Sequence, residues 1–333
     1  MTAARGQDSI LAVHPGALGD VILFGHLLAA LKARVTLLAG GQKARLLQGL
    51  GVADAAMDSD SLPIQEVFAD TPLEQCRLPK LLGRHDRLIS CLGGGNRRAE
   101  QRLAAMCHAR DAAFLPVRPQ RAFQRHLLDL WTDLLGLPPI EPASRCWNVP
   151  KAWVERGRAL LAEAGVHDAR GYALIHPGAG SASKCWPVER FLELAGRFPG
   201  SQGLGGEGLA AVFVIGPVEQ ERWDQGQVAK LRRDFPVLVC PELTELAGVM
   251  KEAASFVGND SGVAHLAASV GTPTVALFGP SQPRHFAPCG QAVQVITAKR
   301  ITDIAVEGVL AALEALPCRG DGASSSGGRG NVR

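Results

Sequence analysis

Along the chain, short apolar runs alternate with longer stretches whose apolar positions recur at helical spacing. The first run, 10–13 (ILAV), leads into HPGALGD at 14–20 and an amphipathic helix to about residue 33. A second strand at 35–38 ends in Gly40-Gly41. Strand, loop, helix and strand in that order begin a doubly wound sheet, in which ligands gather at the carboxyl ends of the strands. From 51 to 84 the pattern weakens. A strand at 88–92 then ends on Gly93-Gly94-Gly95-Asn96, and a helix follows at 121–135 before LPPIEP at 137–142 breaks the pattern as a domain boundary does.

The second half repeats the scheme. A helix at 152–164 precedes a strand at 173–176 and the loop PGAGSASKCWP at 177–187, where Pro187 suits the first turn of a helix to about 198. After a glycine-rich loop or hairpin at 200–208 come a strand at 211–215, a helix opened by Glu219, Gln220 and Glu221, a strand at 237–239 and a helix at 243–251. The most informative stretch, 255–280, reads as a strand at 255–257, a tight turn at Gly258-Asn259 and a helix over 261–270. Gly271 stops that helix before a strand at 274–278. A strand near 293–296 and a helix at 302–316 close the pattern, and 319–333 is low-complexity sequence expected to be disordered. Two similar α/β halves, 1–150 and 151–318, are therefore predicted to face each other across a cleft.

Composition narrows the picture. At 333 residues the chain suits two domains, and 47% hydrophobic with 20% charged residues marks a soluble globular protein. A net charge of +3 gives no indication of a nucleic-acid partner. Eight cysteines without CxxC or Cys/His ligand spacing read as reduced thiols of a cytoplasmic protein. No signal peptide is read at the start, and no apolar run approaches the roughly 20 residues that a spanning helix needs.

Candidate chemistry sits at the strand ends. Asp260 and Ser261 stand where a helix cap belongs, and Gly262 permits close backbone approach. Such a start is either a capped helix of an ordinary β-α-β unit or an anion site, with His265 one turn in as a further donor. Asp20 offers a carboxylate at a glycine-lined helix start, or simply complements the helix dipole. Lys184, on a loop at a strand end, can neutralise a phosphate or lie exposed. Asp58-Ser59-Asp60 matches a metal-holding DxD pattern but fits a solvated turn better. Arg97, Arg98, Arg102, Arg110, Arg118, Arg121 and Arg125 cluster beyond the Gly93 loop, suiting either a phosphorylated or carboxylated ligand or plain surface.

HPGALGD, IHPGAGSASKCWPVERF, IGPVEQER and VGNDSGVAHLAASVGTPTVALFGP, in that order and spacing over nearly the whole chain, resemble the bacterial lipopolysaccharide heptosyltransferase family of glycosyltransferases. The resemblance implies a GT-B fold of two Rossmann-like α/β/α domains, acceptor on the first and nucleotide-sugar on the second. It implies Asp20 as general base, with Gly19 beside it as an acceptor-binding residue. Lys184, Asp260, His265 and the amides of Ser261, Gly262 and Val263 would serve the donor's diphosphate site, and Glu219, or Glu221, would hold its ribose. Arg97, Arg98 and Arg121 would serve a phosphorylated lipid A–Kdo acceptor. The implied reaction is metal-independent, cofactor-free and inverting, with ADP-heptose as donor, at the cytoplasmic face of the inner membrane and in peripheral contact with it. His14 stands where the family has Arg, His26 where it has Pro, and Ala182 where it has an aromatic residue. A sugar-nucleotide 2-epimerase of similar fold, needing no acceptor, and a non-catalytic sugar-nucleotide-binding homologue are the alternatives.

Overall fold

The apolar runs assemble into two parallel sheets, one from each half of the computed structural model, which describes residues 8–141, 146–166, 171–198, 209–223 and 225–317. The loop at 200–208 and the tail at 319–333 lie outside those residues. In the first half, β1 (Ser9–Val13), β2 (Arg34–Ala39), β3 (Ala55–Asp58), β4 (Arg87–Ser90) and β5 (Asp111–Phe114) lie in the order β3-β2-β1-β4-β5. In the second, β6 (Tyr172–His176), β7 (Ala210–Ile215), β8 (Val237–Val239), β9 (Ser255–Asn259), β10 (Thr274–Phe278) and β11 (Val293–Thr297) lie in the order β11-β10-β9-β6-β7-β8. Strands such as β6 and β10 are buried along their whole length, which is why they read as unbroken apolar runs.

The strands that periodicity did not predict, β3 and β5, form the two edges of the first sheet. Their residues, AAMD and DAAF, are half-buried or exposed, so nothing there demands an apolar run. Several helices start or stop short of expectation. The first ends at Leu28, the one expected from 121 begins at Leu127 behind the capping residue His126, and the last spans Val306–Glu314. The turn expected at Gly258-Asn259 is strand instead: Gly258 is in register with Ala276 and His176, and Asn259 with Leu277.

Each sheet reverses its strand order once, between β1 and β4 and between β6 and β9. Crevices for ligands open at the carboxyl ends of strands at such switch points. The two crevices face each other because the Leu18–Leu28 helix, which follows β1, packs its first turn on that of the Gly262–Ser269 helix, which follows β9. Glycine makes this approach possible: a Cβ on Gly262 would stand 2.6 Å from Leu18 Cβ and 2.8 Å from Gly19 N. Farther along the same helix pair, His26 hydrogen-bonds Ser269 Oγ (2.9 Å) and stacks on Trp147 with centroids 4.7 Å apart. The backbone N–H of Trp147 in turn donates to the backbone carbonyl of Ser269 at 2.8 Å, so the segment joining the halves is pinned to the second one. One apolar core runs through this junction, including Phe24, Leu27, Trp147, Leu246 and Leu266.

Candidate active site

A cavity of about 440 Å³ opens between the two switch points. Gly19, Asp20, Leu23 and Arg118 line it from the first half, and Gly180, Lys184, Asp260, Ser261, Gly262, His265, Ser281, Gln282 and Phe286 from the second. Asp20 lies in the first turn of its helix, and its Oδ1 accepts a hydrogen bond from Arg118 Nη1 at 2.9 Å. It therefore complements the helix dipole and faces the cavity at once.

On the opposite wall, Asp260 is not a helix cap. Ser261 takes the cap position with no side-chain cap bond, and Asp260 Oδ2 accepts from Lys184 Nζ and from Ser281 Oγ, each at 2.6 Å. With its side chain only 8% exposed, the Asp260 carboxylate needs those partners, because a buried unpaired charge is costly. Asn259 sets the loop that carries Lys184. Its Oδ1 accepts from Trp186 N (3.0 Å) and its Nδ2 donates to Pro177 O (2.7 Å). The N–H groups of Ala264 and His265 return to Ser261 O, while those of Gly262 and Val263 precede any possible acceptor within the helix. Ser261 Oγ and His265 Nδ1 are buried without a hydrogen-bond partner among the described residues. Helix-start amides with no acceptor in the helix, an unpartnered buried hydroxyl and a lysine on one wall are groups suited to an anion.

The other predicted residues fall outside the lining. Val263 packs partly against the core. Glu219 is buried, its Oε2 accepting from Gly216 N at 2.8 Å, and its carboxylate fills the space that a Gly178 side chain would need. His176 Nε2 lies 3.8 Å from it, and Glu221 is exposed. Arg97 and Arg98 open the helix after β4, Arg98 pairing with Asp70 on the surface, and Arg121 sits in an exposed turn where its carbonyl accepts from Gln124 Nε2. Asp58 closes its own turn, Oδ1 accepting from Asp60 N (3.0 Å) and Gly41 N (2.9 Å). Sequence reasoning did not single out Arg118 from the arginine cluster, nor Ser281, Gln282 and Phe286. The last three follow β10, the neighbour of the switch-point strand, and that position was the available signal.

Burial lowers the histidines at the junction from an ordinary 6.5, His14 and His265 to about 4 and His26 to about 3, although Asp20 and Asp260 pull His14 and His265 the other way. All three are neutral at pH 7. Below about 6.5 the unfolded chain takes up protons that these native side chains refuse, so stability is full above that pH and falls as pH drops toward 4. Each histidine is expected to cost on the order of 2 kcal/mol by pH 5. Calorimetric melting at pH 7.5, 6 and 5 checks this, and a melting temperature unchanged across that range would contradict it.

Comparison with known proteins agrees with this architecture. A family model described as glycosyltransferase family 9 (heptosyltransferase) matches residues 125–307. Lipopolysaccharide heptosyltransferase 3 of Escherichia coli is 30% identical over 148 residues, 44% of this chain and 41% of that protein. The chain thus spans about two-fifths of the length of the curated relatives first matched. A family 9 glycosyltransferase structure from Veillonella parvula superposes with a TM-score of 0.70 at 22% identity, covering 93% of this chain and 97% of its own. E. coli heptosyltransferase WaaC, solved with ADP and with ADP-2-deoxy-2-fluoro heptose, gives TM-scores of 0.64 and 0.60 at 18% and 17% identity, covering 92% of this chain and 99% of its own. At such identities the structural likeness establishes the GT-B fold. With the family model matching more than half of its length, the chain belongs to glycosyltransferase family 9, the heptosyltransferases.

Proposed function

We propose that this protein is an inverting heptosyltransferase that moves heptose from ADP-heptose to a hydroxyl of the lipopolysaccharide inner core. The first half, 1–150, holds the acceptor and the second, 151–318, the donor. The observation that supports this most is the placement of Asp20 and of the Lys184–Ser261 anion site on opposite walls of one cavity. An acceptor hydroxyl is too weak an acid to attack freely, so Asp20 takes its proton as the bond to the anomeric carbon forms. Attack opposite the leaving diphosphate inverts that carbon. Charge growing on the diphosphate is met by Lys184 and by the amides of Ser261, Gly262 and Val263, with His265 beside them. Asp260 holds Lys184 at the site. Glu219, buried beneath Gly178, or the exposed Glu221 on the same short helix is the acid for the donor's ribose.

The lipid-linked acceptor meets the first half from the membrane side. No helix among the described residues is long and apolar enough to cross a membrane. An acceptor longer than the cavity extends toward Arg97 and Arg121, Arg98 being engaged by Asp70.

Calorimetric titration with ADP, UDP and GDP tests the donor site. The wild-type protein is expected to select ADP, and Lys184→Ala to bind it at least about tenfold more weakly, since a charge-assisted bond is lost and Asp260 keeps Ser281 as partner but loses its counter-charge. Equal binding of all three nucleotides would exclude an adenosine-specific donor site. Unchanged ADP affinity in the variant would remove Lys184 from it.

A further inference from the structure

Arg118 makes three contacts that tie together parts of the cavity from both halves. Its Nη1 donates to Asp20 Oδ1 and to the carbonyl of Val117, both at 2.9 Å, and its guanidinium lies 4.9 Å from the ring centroid of Phe286. Arg118 follows β5 in the first half, and Phe286 ends the Pro283–Phe286 turn of helix after β10 in the second. The same two segments are joined again nearby: His285 Nδ1 hydrogen-bonds Arg125 O at 2.8 Å, His126 Nε2 bonds Ala287 O at 3.1 Å, and Arg284 donates to Gln124. Together these contacts form a seam along one side of the cleft.

An ion pair whose arginine is 60% exposed adds little to stability, and holding a long side chain in one geometry costs entropy. Its effect therefore falls on geometry. Arg118 engages Oδ1 of Asp20 and leaves Oδ2 for another partner. A cation over an aromatic face prefers a defined height and direction, so the arginine is oriented by a ring that belongs to the opposite half.

We infer that Arg118 is a positioning residue that aims the Asp20 carboxylate at the acceptor hydroxyl, and that Phe286 makes this aim depend on approach of the two halves. The inference rests on the reading of Asp20 as the base. Base and anion site then come into register in the same movement that excludes water from the cavity. Removing Arg118 leaves both substrates bound but lets the carboxylate swing, and misplacement of a reacting group by about 1 Å can cost a hundredfold in rate.

Steady-state kinetics on the full chain with ADP-heptose and a lipid A–Kdo acceptor tests this. Arg118→Met is expected to lower kcat about ten- to a hundredfold while both KM values stay within about twofold. Arg118→Lys, which restores the charge but not the planar fork, should recover part of that loss. Phe286→Leu should lower kcat in the wild-type background and add nothing to Arg118→Met. A raised acceptor KM with unchanged kcat would make Arg118 an acceptor ligand and overturn the inference. Equal losses from Phe286→Leu in both backgrounds would also overturn it. Asp20→Asn, run beside them, separates the two levels: if it is inactive while Arg118→Met is normal, the positioning role alone fails, and if it is active, the base assignment fails first.

Discussion

Asp20→Asn is expected to lower turnover by at least about a hundredfold while leaving ADP affinity unchanged. The substitution is nearly isosteric, and an asparagine Oδ1 still accepts from Arg118, so the local geometry persists. What disappears is a group able to take a proton from the acceptor hydroxyl. The proposed donor site, around Lys184, Asp260 and Ser261, lies on the opposite wall and contains no atom of Asp20. Rates of ADP release, set beside calorimetric ADP binding, separate the two effects. Turnover near the wild-type rate would remove Asp20 from the base role.

Gly262→Ala is expected to cost about 1–3 kcal/mol of stability and to lower turnover about ten- to a hundredfold. Its new methyl group would stand 2.6 Å from Leu18 Cβ and 2.8 Å from the backbone nitrogen of Gly19. Neither atom is the free end of a flexible side chain, so the two helix starts must move apart. That junction carries Asp20 on one side and the anion site on the other, and a shift of a few tenths of an ångström there changes their separation directly. Gly19 is under a similar constraint, because a Cβ on it would lie 3.0 Å from His265 Cδ2. Thermal melting and kcat measured together check the prediction. A variant with wild-type values of both would show that the helix contact does not set the site.

Much of this architecture was legible because it is local. A strand buried on both faces, a glycine-bearing loop and a helix start occupy about twenty consecutive residues, so the β1, β6 and β9 units and their candidate residues are readable in the sequence alone. The edge strands β3 and β5 were not legible, since half-exposed backbone pairing leaves little apolar signal. Gly258-Asn259 misled for a related reason. As a dipeptide it favours a turn, yet Asn259 is needed in the strand, where its side chain reaches Pro177 O, 82 residues away. The partners of the candidate residues were also hidden by distance along the chain. Asp20 and Arg118 are 98 residues apart, and Lys184 and Asp260 are 76 apart. The sequence therefore suggested which residue types could do the chemistry, but not that Asp260 holds Lys184 rather than capping a helix.

His26 illustrates how a departure from the family pattern acquires meaning only in three dimensions. It reaches Ser269, 243 residues away, and joins the two helices on which the facing walls are built. Kept neutral by burial, it serves as an uncharged hydrogen-bonding contact within an apolar junction.

The central claim is that this cleft transfers a sugar between two substrates, and the most direct test is ADP release from ADP-heptose measured with and without a lipid A–Kdo acceptor. The account predicts release only when acceptor is present, with the acceptor gaining the mass of one heptosyl unit. Acceptor-independent release of free sugar or of an epimer, or no turnover with both substrates present, would contradict it.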